Sequence, residues 1–170
     1  MEALKKHKIT HISASNINTF ITNPAEWVIH YIYKLSFPSS AAAERGKYIE
    51  KALFHILGNG VSVDKAVEEQ SYFFAETCKE MKVPEEEYLK EKEFVQRAIK
   101  ALPKHLSKFG KIVGYQKKIG YNYKGIDILG YTDFDFELPD GSPLILDLKT
   151  TKKINVSIGH KIAQYIYKTA

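Results

Sequence analysis

An aspartate and a lysine one residue apart close the apolar run Leu144-Ile145-Leu146, the chain continuing Asp147-Leu148-Lys149. Alternate residues of a strand face the same side, so Asp147 and Lys149 point into one space while Leu148 packs behind them. Asp133 ends the earlier segment Gly130-Tyr131-Thr132-Asp133, and Pro139-Asp140-Gly141 between the two is a turn signal. A simple antiparallel hairpin centred on Asp140 sets Asp133 opposite Asp147, or nearly so. Two close carboxylates repel unless a proton, an ammonium or a metal cation offsets them, and Lys149 offsets one charge at most. Hard oxygen ligands suit Mg²⁺ or Mn²⁺, with water and substrate phosphate filling the remaining positions. Such an ion polarises a phosphodiester and lowers the pKa of a bound water, while a nearby lysine orients that water or stabilises the developing charge. This is equipment for phosphodiester hydrolysis. Taken alone, Asp-x-Lys reads as a salt bridge on a surface hairpin, by far the commoner use of that spacing.

The elements that must position these groups follow from pattern. Ser13 or Ser15 caps a helix bearing Ile17, Phe20 and Ile21, and Asn23-Pro24 restarts it with Trp27, Val28, Tyr31 and Ile32 spaced as one buried stripe. A third helix spans Ala41 to Leu57 and stops at Gly58-Asn59-Gly60. A fourth begins after Ser62 and ends near Met81. A fifth starts at Pro84 with Glu85, Glu86 and Glu87 complementing the macrodipole, and reaches Phe109 with a kink at Pro103 and a stop at Gly110. From Gly110 the period falls to 2. Residues 111–123 and 126–136 read as paired strands turning near Lys124-Gly125, and Leu144-Ile145-Leu146 reads as a buried central strand. A last helix covers Ile158 to Tyr167. A helical front, a three-stranded meander and a closing helix make an α+β or mixed α/β layout.

Composition bounds the function. At 170 residues one compact domain is expected, 1–110 mainly helical and 111–170 carrying the sheet and closing helix. No apolar run approaches the ~20 residues of a membrane span, and Met1 to Lys6 lacks the pattern of a secretory leader. The lone Cys78 forms no internal disulfide, which places the chain in a reducing, cytoplasmic setting, or the host cytoplasm for a viral protein; it also excludes four-cysteine zinc sites and iron–sulfur clusters. The net charge of +5 is uneven: residues 1–103 are balanced at 14 Lys/Arg against 14 Asp/Glu, whereas 104–170 hold 11 against 6. A basic C-terminal part suits a polyanionic partner.

The ordered set of motifs resembles the PD-(D/E)xK nuclease superfamily and, within it, the RecB-like or phage-type exonuclease branch. That branch's Gly-x-x-Asp strand reads here as Gly130 to Asp133, its Asp-x-Lys-Thr as Asp147-Leu148-Lys149-Thr150, and its following helix glutamine as Gln164. Ser13 to Phe20 with Asn23-Pro24 looks like its opening helix, and Arg45-Gly46 matches its next signature. Relatives often carry a histidine four residues after that glycine, where this chain has Glu50, and a tyrosine four after the glutamine, where it has Lys168 with Tyr165 and Tyr167 alongside. Asn23 stands where some relatives place a cluster cysteine.

The resemblance implies a restriction-endonuclease-like fold, its helical N-terminal half packed on a small central mixed sheet closed by a C-terminal helix. It further implies a Mg²⁺-dependent DNA exonuclease, with Mn²⁺ substituting, in recombination, repair or phage replication, working beside a helicase or a single-strand-annealing protein. Asp133, Asp147, Glu50 and the Leu148 carbonyl would be metal ligands. Lys149 would activate water, and Gln164 would orient Lys149 or contact the scissile phosphate. Arg45, Thr150, Thr151, Lys152 and Lys153 would meet the DNA backbone. Without the resemblance, Glu50 is read as a solvated helix residue. The six histidines show no metal-ligand spacing, and Tyr115, Tyr121 and Tyr123 are candidates for stacking on single-stranded bases. A non-catalytic nucleic-acid-binding module and a site-specific endonuclease remain as alternatives.

Overall fold

The computed structural model describes residue 4 and residues 6–150 and 158–169. In chain order these form β1 (His11–Ile12), α1 (Ala14–Thr22), α2 (Pro24–Trp27), a π-helical turn (Val28–Ile32), α3 (Ala41–Leu57), α4 (Val63–Glu80) and α5 (Glu85–Leu106). A 3₁₀ turn (Ser107–Phe109) leads to β2 (Lys111–Tyr115), β3 (Lys118–Tyr123), β4 (Ile126–Tyr131), β5 (Phe134–Glu137), β6 (Pro143–Leu146) and α6 (Ile158–Thr169). The architecture is the mixed α/β one expected, helices first and strands after. The chain divides into two compact units, one drawn from Met1–Pro38, Gln116–Thr132 and Thr151–Ala170, the other from Ser39–Tyr115 and Asp133–Thr150.

The strands share this division. They form two three-stranded sheets, ordered β1-β4-β3 and β2-β5-β6. The first is mixed, β1 lying parallel to β4 and β3 antiparallel to it; the second is antiparallel throughout. Gln116 takes a left-handed backbone (φ 46°) that ends β2, and Thr132-Asp133 interrupts the path from β4 into β5. Residues 111–123 and 126–136 are therefore each cut in two, and only β3 and β4 form the hairpin expected at Lys124-Gly125. Leu144-Ile145-Leu146 is an edge strand and not the central one: β5 takes the middle place because Phe134 and Phe136, both fully buried, fill the core there, while Ile145 stays 40% exposed.

In the second unit α3, α4 and α5 pack around one apolar cluster with the sheet's inner face. Ile49, Ala52 and Leu53 from α3, Ala66 and Phe74 from α4, and Val95 and Ile99 from α5 meet Phe134 and Phe136, with Leu144, Leu146 and Leu148 against them. The helix starts follow the residues that can satisfy free backbone N–H groups: the Ser40 hydroxyl accepts from Ala43 N–H and the Ser62 hydroxyl from Lys65 N–H. The α5 helix passes through buried Pro103 to Leu106.

In the first unit Ser13 caps α1 and Asn23 caps α2, whose first residue is Pro24. The restarted helix then widens to π geometry, and Tyr33 N–H donates to the Val28 carbonyl. This change of pitch breaks the expected stripe. None of Trp27, Val28, Tyr31 and Ile32 is fully buried, and Trp27 instead donates through Nε1 to buried Asn16 at 2.7 Å. Among the described residues no helix is long and apolar enough to cross a membrane.

Gly110 joins the helices to the second sheet at φ 97°, ψ −142°, a conformation open to glycine alone, and a Cβ there would run into the Glu137 carbonyl. Gly110→Ala should cost about 3 kcal/mol, measured as a lower urea midpoint at unchanged m value; an unchanged midpoint would contradict this joint.

Candidate active site

The β5–β6 ladder runs Glu137↔Pro143, Phe136↔Leu144, Asp135↔Ile145 and Phe134↔Leu146. One further step in that register sets Asp133 opposite Asp147, just past the last ladder pair. The junction is held by side-chain bonds and not by ladder bonds. Leu148 N–H donates to Asp133 Oδ2 at 2.6 Å, and Lys149 Nζ bonds Asp147 Oδ1 at 2.7 Å. Leu148 packs on the core, which leaves its neighbours 147 and 149 to the other side. The Asp147 side chain is 14% exposed and that of Lys149 44%, so the ammonium reaches solvent over a nearly buried acid.

Electrostatics bind Glu50 into the same place. Burial pushes the Asp133 carboxyl up to about 6, the Glu50 and Asp147 charges push the same way, and the Leu148 N–H and the Lys149 charge hold it back. Glu50 projects from α3, the helix that also supplies core residues Ile49 and Leu53. Tyr115, at the end of β2, stacks on Phe54 at 4.3 Å between centroids, which covers one face of its ring. Burial, with the Glu50 charge, raises its phenol to about 12, so it stays protonated.

Among the described residues, Asp133, Asp147 and Glu50 offer hard oxygen donors, and the Lys149 ammonium lies on Asp147. That set fits a small divalent cation, which would offset the charge that burial leaves on Asp133. Among the described residues no group of three or more His, Cys, Asp or Glu stands close enough to hold a metal. Asp133 and Asp147 are brought together, with Glu50 in electrostatic reach, but the trio is not drawn in to ligand distance.

Arg45 departs from expectation. It is 4% exposed, ion-paired with buried Glu91 of α5, seated 4.3 Å over the Phe94 ring, and donates through Nη2 to the Thr150 carbonyl at 2.6 Å. A guanidinium so enclosed offers nothing to a DNA phosphate. The signal was present: Ala41, Arg45, Ile49, Ala52 and Leu53 make one buried helical stripe, and Glu91 lies on that of Val95 and Ile99. Thr150 is half-buried, its hydroxyl 3.1 Å from where a Cβ on Gly46 would stand. Gln164 is exposed on α6, in the other unit. Thr151, Lys152 and Lys153 lie outside the described residues. In that other unit Gly130 has a physical reason: a Cβ there would sit 3.3 Å from the Tyr167 ring, whose hydroxyl donates to the Tyr131 carbonyl at 2.9 Å.

A hairpin-end pair of aspartates, Asp-x-Lys just past its edge strand and a third acid on a nearby helix are the groups that the motif order of a nuclease brings together. The family model described as PD-(D/E)XK nuclease superfamily matches residues 11–166, and the chain belongs to that superfamily. No curated protein and no solved structure matches it. The mixed α/β architecture agrees with the restriction-endonuclease-like fold of these nucleases, which use divalent metals such as Mg²⁺.

Because folding raises the Asp133 pKa from 3.8 to about 6, the folded state binds that proton more tightly than the unfolded chain. The ionised group then costs stability, increasingly above pH 4 and fully above pH 6. Asp133→Asn keeps an acceptor for Leu148 N–H and removes this cost. In EDTA it should gain about 1–2 kcal/mol at pH 7.5, after allowing for solvent screening of a partly exposed group, and nothing below pH 3.8. Melts at both ends of that range check this, and an equal effect at the two pH values would count against it.

Proposed function

We propose that this chain is a Mg²⁺-dependent DNA exonuclease of the RecB-like or phage-type branch, serving recombination, repair or phage replication. The observation that carries this reading is the hairpin end: Asp133 and Asp147 stand just past the last ladder pair, Phe134↔Leu146, with Leu148 N–H on the first and Lys149 on the second. Asp133, Asp147, Glu50 and the Leu148 carbonyl would hold the ion, Mn²⁺ substituting for Mg²⁺. Bound there, it supplies a water of lowered pKa and polarises the phosphodiester. Lys149 Nζ, poised from Asp147, orients the attacking water and stabilises charge on the phosphate oxygens as one P–O bond forms and the opposite one breaks. Gln164, Thr150, Thr151, Lys152 and Lys153 remain proposed contacts to Lys149 or the DNA backbone, and the surplus of cations after residue 103 suits that partner.

The family match spans both units, which supports reading residues 1–170 as one nuclease domain. On this reading the protein acts in the cytoplasm of its cell or host, beside a helicase or a single-strand-annealing protein, with no iron–sulfur cluster. A second reading, a binding module that does not cut, is favoured by one observation: among the described residues no three ligating side chains are gathered to metal distance.

End-labelled linear and closed circular DNA, single- and double-stranded, incubated with Mg²⁺, Mn²⁺ or EDTA, separates these possibilities. Linear DNA should be degraded with either metal, the circle spared, and EDTA should stop cleavage while binding persists. Lys149→Ala and Asp147→Ala should each slow cleavage by about 10³-fold or more at retained DNA binding. Cleavage by Lys149→Ala at the parent rate removes the assigned role, nicking of circles makes the protein an endonuclease, and binding without degradation makes it a binder.

A further inference from the structure

Residues 147–150 leave β6 without ladder partners, so something else must hold the backbone that carries Lys149. Two bonds flank that residue. On one side Leu148 N–H is fixed by Asp133; on the other the Thr150 carbonyl is fixed by Arg45. We propose that Arg45, clamped by Glu91 and Phe94, is a positioning residue that holds the Thr150 carbonyl and thereby sets where Lys149 stands relative to Glu50. The inference rests on the nuclease reading.

The chemistry of the clamp supports this. The planar guanidinium divides its donors, Nη1 to Glu91 and Nη2 to Thr150, a fork that the single ammonium of a lysine does not reproduce. Both charges are almost fully buried, 5% and 6% exposed by side chain. A buried ion pair is a poor source of stability, since apolar residues of similar volume often do as well or better. Its use here is geometric. Arg45 and Glu50 stand on the same helix, so a bond from Arg45 to Thr150 ties the segment bearing Lys149 to the rigid element that carries the third acid. Gly46 lets the α3 backbone come close to the Thr150 hydroxyl, in keeping with such a seat.

The test uses the full chain. Arg45→Met alone takes from buried Glu91 its ion-pair partner, so it is made together with Glu91→Met; Arg45→Lys is the companion variant, which keeps the charge. The double variant should melt at or above the parent temperature, yet lose about 10–100-fold in kcat at a KM within about threefold. In metal-free protein the Leu148 amide should exchange with solvent about tenfold faster or more, while amides inside β5 stay unchanged. The salt slope of DNA binding should not move, whereas loss of a direct phosphate contact would reduce it by about one. Arg45→Lys should show the same kcat loss and faster exchange.

Parent-like kcat and exchange in a folded variant overturn the proposal, as does a reduced salt slope. If the double variant does not fold, Arg45→Lys decides by the same readouts. If the parent itself cleaves nothing, the nuclease reading fails, and Leu148 exchange still judges the clamp: unchanged exchange overturns it.

Discussion

The functional reading depends on one hydrogen-bond register, the pairing of β5 with β6, because it brings two residues distant in sequence to one hairpin end. Phe134 opposite Leu146 is the last ladder pair, and the acids follow immediately on either strand. In an antiparallel ladder a slip of one residue on one strand would turn its side chains to the other face, sending Asp147 and Lys149 inward and Leu148 outward. The register is protected by what lies on the inner face: Phe134 and Phe136 on one strand and Leu144, Leu146 and Leu148 on the other belong to the same apolar cluster. Hydrophobic burial on one side of the hairpin thus decides the polar geometry of the other.

That geometry is electrostatically unbalanced. Asp133 is held in a setting that resists its ionisation, with two acids adding to the effect of burial and one ammonium opposing it. A group strained in this way is common where chemistry is done, because the free energy that disfavours the bare charge favours a cation when one arrives. Arg45 and Glu91 show the contrary arrangement, two opposite charges matched to each other and to a carbonyl, with no net charge left over. One helix, α3, carries both Arg45 and Glu50, so the enclosed ion pair and the third acid share a single rigid frame.

Much of this was legible beforehand. Helix α3 runs from Ala41 to Leu57 as its periodicity demanded, Ser13 and Asn23 serve as caps, and the β3–β4 turn falls at Lys124-Gly125. Counting around Asp140 sets Asp133 against Asp147, and the ladder ends with the pair just before them, Phe134↔Leu146. Each of these depends on residues close in sequence, where backbone preference and side-chain period act directly.

The parts that were not legible depend on distance along the chain. The buried stripe marked Arg45 as enclosed, but nothing local named the carboxylate 46 residues away and the carbonyl 105 residues away that meet it. Leu144-Ile145-Leu146 looks central until β5 takes that place. Composition and local pattern by themselves determined the order of elements, the turns and the paired aspartates, since these are set by short-range sterics and alternation. Which strand is innermost and which groups meet the enclosed charges were decided only by tertiary packing, because burial is a property of what the rest of the chain brings alongside.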